Sequence, residues 1–215
     1  MPKMSFASRD GLTLEGRITL PPDKHGGGVV LCHPHPTFGG TMDVWLLPQI
    51  QRALAAEGWS VLRFNFRGVE GSEGEHSGGG PEVADLLGAL DHLASAEGVT
   101  GPFAVVGWSF GAVVGLFSCM QDPRLTGYVA MGFPLMVPPG MIPPLPVDLG
   151  SWSAAKLFVV GEYDAWCPTD SLEDWLAGVG DPKEVAVVKG TDHFFFDQDR
   201  EVAALVTSFL ARTTV

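Results

Sequence analysis

The chain has 215 residues, 46% apolar and only 18% charged, which is enough for a buried core and too little charge for a disordered chain. Its net charge is −12 with Lys and Arg scattered, which argues against nucleic acid or an anionic membrane as partner, because both need a basic patch. Three cysteines lack metal-ligand spacing, "MPKMSFASRDG" lacks a signal peptide's apolar stretch, and no apolar run approaches about 18 residues, so a cytoplasmic protein is expected.

In chain order, "SFAS" and "LTLEGRITL" read as an opening hairpin turned at "RDG". Continuous apolar runs follow: "GVVLCH" (28–33), "SVLRFNF" (60–66), "FAVVGW" (103–108), "YVAMGF" (128–133), "KLFVVG" (156–161) and "EVAVVK" (184–189). Runs without alternation suit parallel strands buried on both faces. Helix-like segments lie between most of them, at about 42–57, 81–97, 110–121, 169–178 and 198–212. The alternation predicts an α/β fold, one domain over 1–215 with a doubly wound, mostly parallel sheet and an antiparallel N-terminal edge. Ligands in such sheets bind beyond the carboxyl ends of the strands, so the residues after each run are those to read for chemistry. Cys32 and Cys119 sit inside apolar runs and read as buried; Cys167, beside Pro168, is the one cysteine expected at the surface.

One segment breaks the rhythm. From Pro134 to Ala155 the chain is proline-rich and carries no helical period, yet it is too apolar for a solvated linker. It reads as a loop laid over an apolar pocket.

"FAVVGWSFGAVVGLFSCM" reads strand, turn, helix, with Ser109 at the joint. Gly107-Trp108-Ser109-Phe110-Gly111 fits G-x-S-x-G, a turn so sharp that side chains two residues either side of the serine would collide. The Phe110 N–H, at the start of the helix, is free to face an oxyanion. A serine hydroxyl needs a base and an orienting acid to become a nucleophile. Asp164 follows the strand "KLFVVG" and His193 follows "EVAVVK", which gives the order Ser109, Asp164, His193, each past a separate strand. Glu162 and Asp192 are rival acids, and Asp170 suits a helix N-terminus. His33-Pro34-His35 also has a metal-ligand spacing, but its further ligands would have to be His193 and Asp164; no metal and no cofactor is expected, and His33 reads as a histidine that fixes its loop by hydrogen bonds. His25, His76 and His92 read as surface residues, and Asn65 and Arg67 as braces at a strand end.

With these residues in hand, the sequence resembles the α/β-hydrolase superfamily, specifically its small lidless members, over nearly the whole chain. "LCHPHPTFGGTMD" is similar to the loop such proteins carry after the third strand. "RFNFRGVEGSEG" is similar to their N-F-R-G-x-G-x-S-x-G loop, with Glu70-Gly71 where Gly-x is usual, and "GEYDAWCP" and "GTDHFF" are similar to the acid and histidine loops. The resemblance implies a second oxyanion donor after the third strand. Pro34 has no N–H, so by position the donor is the backbone of His35, with Phe38 as the alternative and Gly39 and Gly40 allowing close approach. Larger relatives place a lid domain where this chain has only 134–155. A shallow pocket is therefore expected, walled by Leu135, Met136, Val137 and Ile142, with Phe38 and Trp108 adding to it. The implied protein is a serine hydrolase of short-chain esters, a monomer or homodimer acting on small acyl substrates. A thioesterase, a peptidase or a non-catalytic member of the same fold are the alternatives.

Overall fold

The computed structural model describes residues 3–23 and 26–213, so His25 lies outside the described residues. Eight strands form one sheet in the order β1-β2-β4-β3-β5-β6-β7-β8. β1 (Met4–Ala7) and β2 (Thr13–Thr19) make the expected antiparallel hairpin, and β2 also runs antiparallel to β4 (Ser60–Phe64). From β4 onward the neighbours are parallel: β3 (Gly28–Cys32), β5 (Phe103–Trp108), β6 (Leu125–Met131), β7 (Ala155–Gly161) and β8 (Lys183–Val188).

The helices are α1 (Leu46–Ala56), α2 (Glu82–Ala94), α3 (Phe110–Gln121), α4 (Thr169–Leu176) and α5 (Asp199–Thr213). They divide between two cores. On one face of the sheet α1 and α5 bury Leu46, Ile50, Val206 and Phe209 against Val29, Leu31, Ala104 and Val106. On the other, α2, α3 and α4 bury Leu86, Val113 and Leu172 against Val30, Cys32, Val105 and Phe158. Because successive strand residues point to opposite faces, both must be apolar, which is why β3 and β5 read as continuous runs.

β3 has β4 on one side and β5 on the other, so the chain reverses its direction of travel across the sheet there. The carboxyl ends of β3 and β5 diverge into separate loops at this point, opening a crevice where α/β sheets bind ligands.

Two expectations fail for reasons of position. β8 is the outermost strand of the sheet, so it is not buried on both faces; Val185 and Val187, on one face, are exposed. Cys167 is buried: it stands just before α4, whose N-cap is Pro168, and joins the core cluster that holds Leu172. Burial, with the Asp164 carboxylate behind it, pushes that thiol up to about 12. The proline-rich segment follows β6 and descends over the α2–α4 face. Leu135, Ile142 and Trp152 pack on that core, and Leu149 bridges to Val179 before the chain enters β7.

Among the described residues no helix is long and apolar enough to cross a membrane.

Candidate active site

The serine stands on a strained turn. Ser109 has φ 53° and ψ −116°, a conformation that a residue with a side chain seldom adopts, between the end of β5 and the start of α3. A methyl group on Gly107 would lie 2.3 Å from the Gly111 carbonyl, and one on Gly111 would lie 2.5 Å from the Cys32 carbonyl. No side chain fits at either place, so the glycine spacing is a consequence of how tightly the turn packs. The Ser109 N–H donates to the Met131 carbonyl at 2.8 Å, which ties the turn to the end of β6. The Phe110 side chain is buried in the core, leaving its backbone at the helix N-terminus.

Past β7, Asp164 turns back over its own loop. Its Oδ1 accepts hydrogen bonds from the Trp166 N–H at 2.9 Å and the Cys167 N–H at 3.0 Å. Its Oδ2 lies 2.8 Å from Nδ1 of His193. With the carboxylate accepting, Nδ1 carries the proton and Nε2 is left as an acceptor. That Nε2 is buried and, among the described residues, has no hydrogen-bond partner, Ser109 Oγ included. The acid and histidine loops are laced together, Tyr163 N–H to the Thr191 carbonyl at 2.9 Å, and the Trp108 indole donates to the His193 carbonyl at 3.1 Å.

The rival acids are engaged elsewhere. Glu162 pairs with Lys189 at 2.9 Å and accepts from the Gly190 N–H, while Asp192 caps the Phe194 N–H. Asp170 lies in the first turn of α4.

Ser109 and His193 line one cavity of about 250 Å³ at the crevice between β3 and β5. The loop after β3 forms its other side. His35 caps a 3-10 turn (Pro36–Phe38), and its carbonyl accepts from the N–H groups of Phe38 and Gly40 at 3.1 and 3.2 Å. The Phe38 N–H is therefore engaged within its own loop. Among the described residues no hydrogen bond takes up the His35 N–H.

His33 has both ring nitrogens engaged: Nε2 accepts from the Phe66 N–H at 3.1 Å, so Nδ1 holds the proton and donates to the Pro34 carbonyl at 2.7 Å. Burial holds its pKa down at about 4. Asn65 accepts from the Met42 N–H and donates to Glu15, and Arg67 pairs with the buried Asp85 and with Asp10, so both brace the end of β4. His76 and His92 are half-buried rather than surface residues: His76 packs against His35 and Phe110 and lies 3.0 Å from Glu82, and His92 stacks on Phe6.

The cavity wall differs from expectation in part. Phe38 and Trp108 line it, but Leu135, Met136, Val137 and Ile142 do not: Leu135 and Ile142 pack on the α2–α4 core instead, and Met136 is exposed. Their place is taken by Val44, Trp45, Trp166, Phe194 and Phe196. Three of these had a sequence signal: Trp166 is two residues past Asp164, and Phe194 and Phe196 flank the buried Phe195 in "HFFF". Gly132 leaves room for the His193 ring; a methyl group there would sit 2.9 Å from it.

A strand-end serine on a strained elbow and a buried Asp–His pair, on this sheet order and without a lid, define an α/β serine-hydrolase architecture. The chain belongs to the alpha/beta hydrolase domain family, which it matches over residues 28–208. It is 26% identical to an uncharacterized protein of Rickettsia prowazekii, over 98% of this chain and 89% of that protein. Among solved structures it is similar to an α/β serine hydrolase homologue from Coxiella burnetii, at 26% identity and a TM-score of 0.85, covering 97% of both chains. It is also similar to a serine hydrolase without a lid from Xanthomonas campestris, at 25% identity and a TM-score of 0.80, covering 98% of this chain and 94% of that one.

Proposed function

We propose that the protein is a single-domain serine esterase that cleaves short-chain carboxylic esters or related acyl bonds through a covalent acyl-enzyme. Ser109 Oγ attacks the ester carbonyl as His193 Nε2 takes its proton. Asp164 holds the imidazole in the tautomer that leaves Nε2 free and stabilises the imidazolium that forms. The negative oxygen of the tetrahedral intermediate sits against the backbone N–H groups of Phe110 and His35, each contributing about 3 kcal/mol. The C–O bond to the alcohol breaks, and His193 hands its proton to the departing oxygen. Water then repeats the sequence on the acyl-enzyme and releases the acid. No step calls for a metal or a cofactor.

One observation carries this reading. His193 Nε2 is buried without a partner, on a ring whose other nitrogen is fixed 2.8 Å from Asp164, in the cavity that Ser109 lines. A buried polar atom left unpaired disfavours the fold, and a catalytic role accounts for it. The Ser109–His193 bond is expected to close when substrate fills the cavity.

The small cavity suits acyl chains of about two to six carbons, because each buried methylene adds about 0.8 kcal/mol and those beyond the rim add nothing. Without a lid, no rate jump is expected at a micelle threshold. The deciding test is Ser109→Ala together with fluorophosphonate labelling. The wild type should label at Ser109, and the variant should fold yet lose activated-ester hydrolysis by several orders of magnitude. A variant that retained about a tenth of wild-type turnover would remove Ser109 from the mechanism.

A further inference from the structure

We infer that the site takes esters in which a small acid is joined to an alcohol bearing a flat, uncharged aromatic ring. The inference rests on the esterase reading above, and names its substrate class.

Aromatic side chains from four separate segments converge on the mouth of the cavity. Phe38 comes from the loop after β3, Trp45 from the entry to α1, Trp166 from the acid loop, and Phe194 and Phe196 from the histidine loop. They form a connected collar. Phe38 and Trp166 have ring centroids 6.2 Å apart, Trp166 and Phe194 6.1 Å, Phe194 and Phe196 5.8 Å, and Phe196 and Trp45 5.7 Å with their planes 17° apart. Phe38, Phe194 and Phe196 are 65%, 42% and 60% exposed, so the fold itself does not cover them. Single exposed apolar residues are ordinary; a contiguous set around one concave opening marks a binding surface.

The collar is not symmetric about the reacting centre. The leaving alcohol receives its proton from His193 and must therefore stand beside that ring. The rings touching His193 are Trp166, with centroids 4.5 Å apart, and Phe194, at 5.7 Å. The aromatic wall thus flanks the alcohol side of the ester. A planar group there gains from edge and face contacts with each ring pair, about 2- to 12-fold beyond the area it buries. It also has few rotors to immobilise, unlike an alkyl chain of similar volume.

Charge narrows the class further. Among the described residues that line the cavity, His35 and His193 are the only ones that can carry charge, and no Lys or Arg reaches it. Burial, and next to it the neighbouring His76, lowers the pKa of His35 and favours its neutral form. A carboxylate on the alcohol would enter an apolar collar with no cation to meet it, on a chain of net charge −12.

The test compares kcat/KM for benzyl butyrate and cyclohexylmethyl butyrate. The two have the same acyl group, alcohols of similar size and similar leaving ability, and differ in flatness and π-character. The wild type should favour the benzyl ester about 10-fold or more. It should discriminate less than about threefold between methyl phenylacetate and methyl cyclohexylacetate, where the ring is on the acid side. A carboxylate para on the benzyl ring should slow hydrolysis about 10-fold or more. In the Trp166→Leu/Phe194→Leu double variant the benzyl preference should fall to within about twofold, and Phe194→Leu alone, at a half-exposed position, should lower it in the same direction. Equal hydrolysis of the benzyl and cyclohexylmethyl esters by protein that labels at Ser109 would overturn the substrate class and leave the esterase reading standing. So would a preference that survives loss of both rings. Cleavage of neither ester, with no labelling at Ser109, would overturn both.

Discussion

The loop after β3 and the loop after β8 each carry a histidine just beyond a strand end, His33 at 0% exposure and His193 at 5%. Burial and position do not tell them apart, but their ring nitrogens do. Both nitrogens of His33 are committed to backbone groups, one accepting from Phe66 and one donating to Pro34. His193 commits only Nδ1, to Asp164, and keeps Nε2 unpaired in the cavity wall. A committed histidine fixes a loop, while an uncommitted one held in a single tautomer is ready to take a proton.

Exchanging the two side chains for glutamine should separate these roles. His193→Gln should lower kcat by about 10⁴-fold or more and leave the unfolding midpoint nearly unchanged. His33→Gln should do the reverse, costing about 1–3 kcal/mol of stability as the Phe66 N–H or the Pro34 carbonyl loses its partner, with turnover falling far less. Turnover on an activated ester and chemical denaturation of the same preparations check both. Loss of turnover in a fully stable His33 variant would break the distinction.

The next effect concerns what holds His193 in its tautomer. Asp164→Asn should reduce kcat by about 10³–10⁴-fold, because an amide can present its N–H to Nδ1 and turn the ring's proton to Nε2. Glu162→Gln and Asp192→Asn should cost little, since the first is paired with Lys189 and the second caps Phe194. A pH–rate profile on all three separates a lost orienting acid from a surface charge effect.

The histidine that is committed leaves its mark on stability instead. His33 ordinarily titrates at 6.5 and is held at about 4 in the fold, chiefly by burial. Between those pH values the unfolded chain binds a proton that the folded chain does not, so stability falls as pH is lowered through this window and is fully retained above it. The shift corresponds to about 3 kcal/mol at its limit. Wild-type protein should therefore lose more stability than His33→Gln between pH 6.5 and pH 4, measured as the difference in denaturation free energy at each pH. Parallel curves for the two proteins would mean that His33 is not held neutral.

The strands and helices, the elbow and the residues of the Asp–His pair were legible because each follows from a local rule: two-faced burial makes a continuous apolar run, and a sharp turn forces glycine two residues either side of Ser109. The failures are about what lies next to what. "EVAVVK" has the composition of a buried strand, yet its place at the end of the sheet leaves Val185 and Val187 exposed. Leu135, Met136, Val137 and Ile142 are apolar and follow the right strand, but the direction in which the chain leaves β6 decides which wall they join, and the sequence does not carry that direction. Trp45 lies two residues past the loop "LCHPHPTFGGTMD", but no local rule says which way it points, and only the fold brings it beside Trp108 and Phe196.

The smallest predicted effect compares two strained residues outside those loops, one at the elbow after β5 and one in the loop after β4. Ser109 has φ 53° and Glu70 has φ 50°, so two side chains occupy backbone that suits glycine. Glu70 is exposed, and its turn takes up left-handed backbone without a glycine. A residue with a Cβ in this region costs about 1–2 kcal/mol, against which glycine loses about 0.5–1 kcal/mol in chain entropy, so Glu70→Gly should stabilise the protein by about 0.5–1 kcal/mol. In a chain of this size that raises Tm by about 1–4 °C. Ser109→Gly should also relieve strain and raise Tm in the same range, but at the elbow the gain comes with loss of the nucleophile. Calorimetry on both variants, with ester turnover alongside, reads the difference: two stabilised proteins, of which Glu70→Gly keeps its activity and Ser109→Gly has none. A Glu70→Gly protein that melted lower than wild type would mean that the Glu70 side chain contributes more to its turn than the strain it imposes.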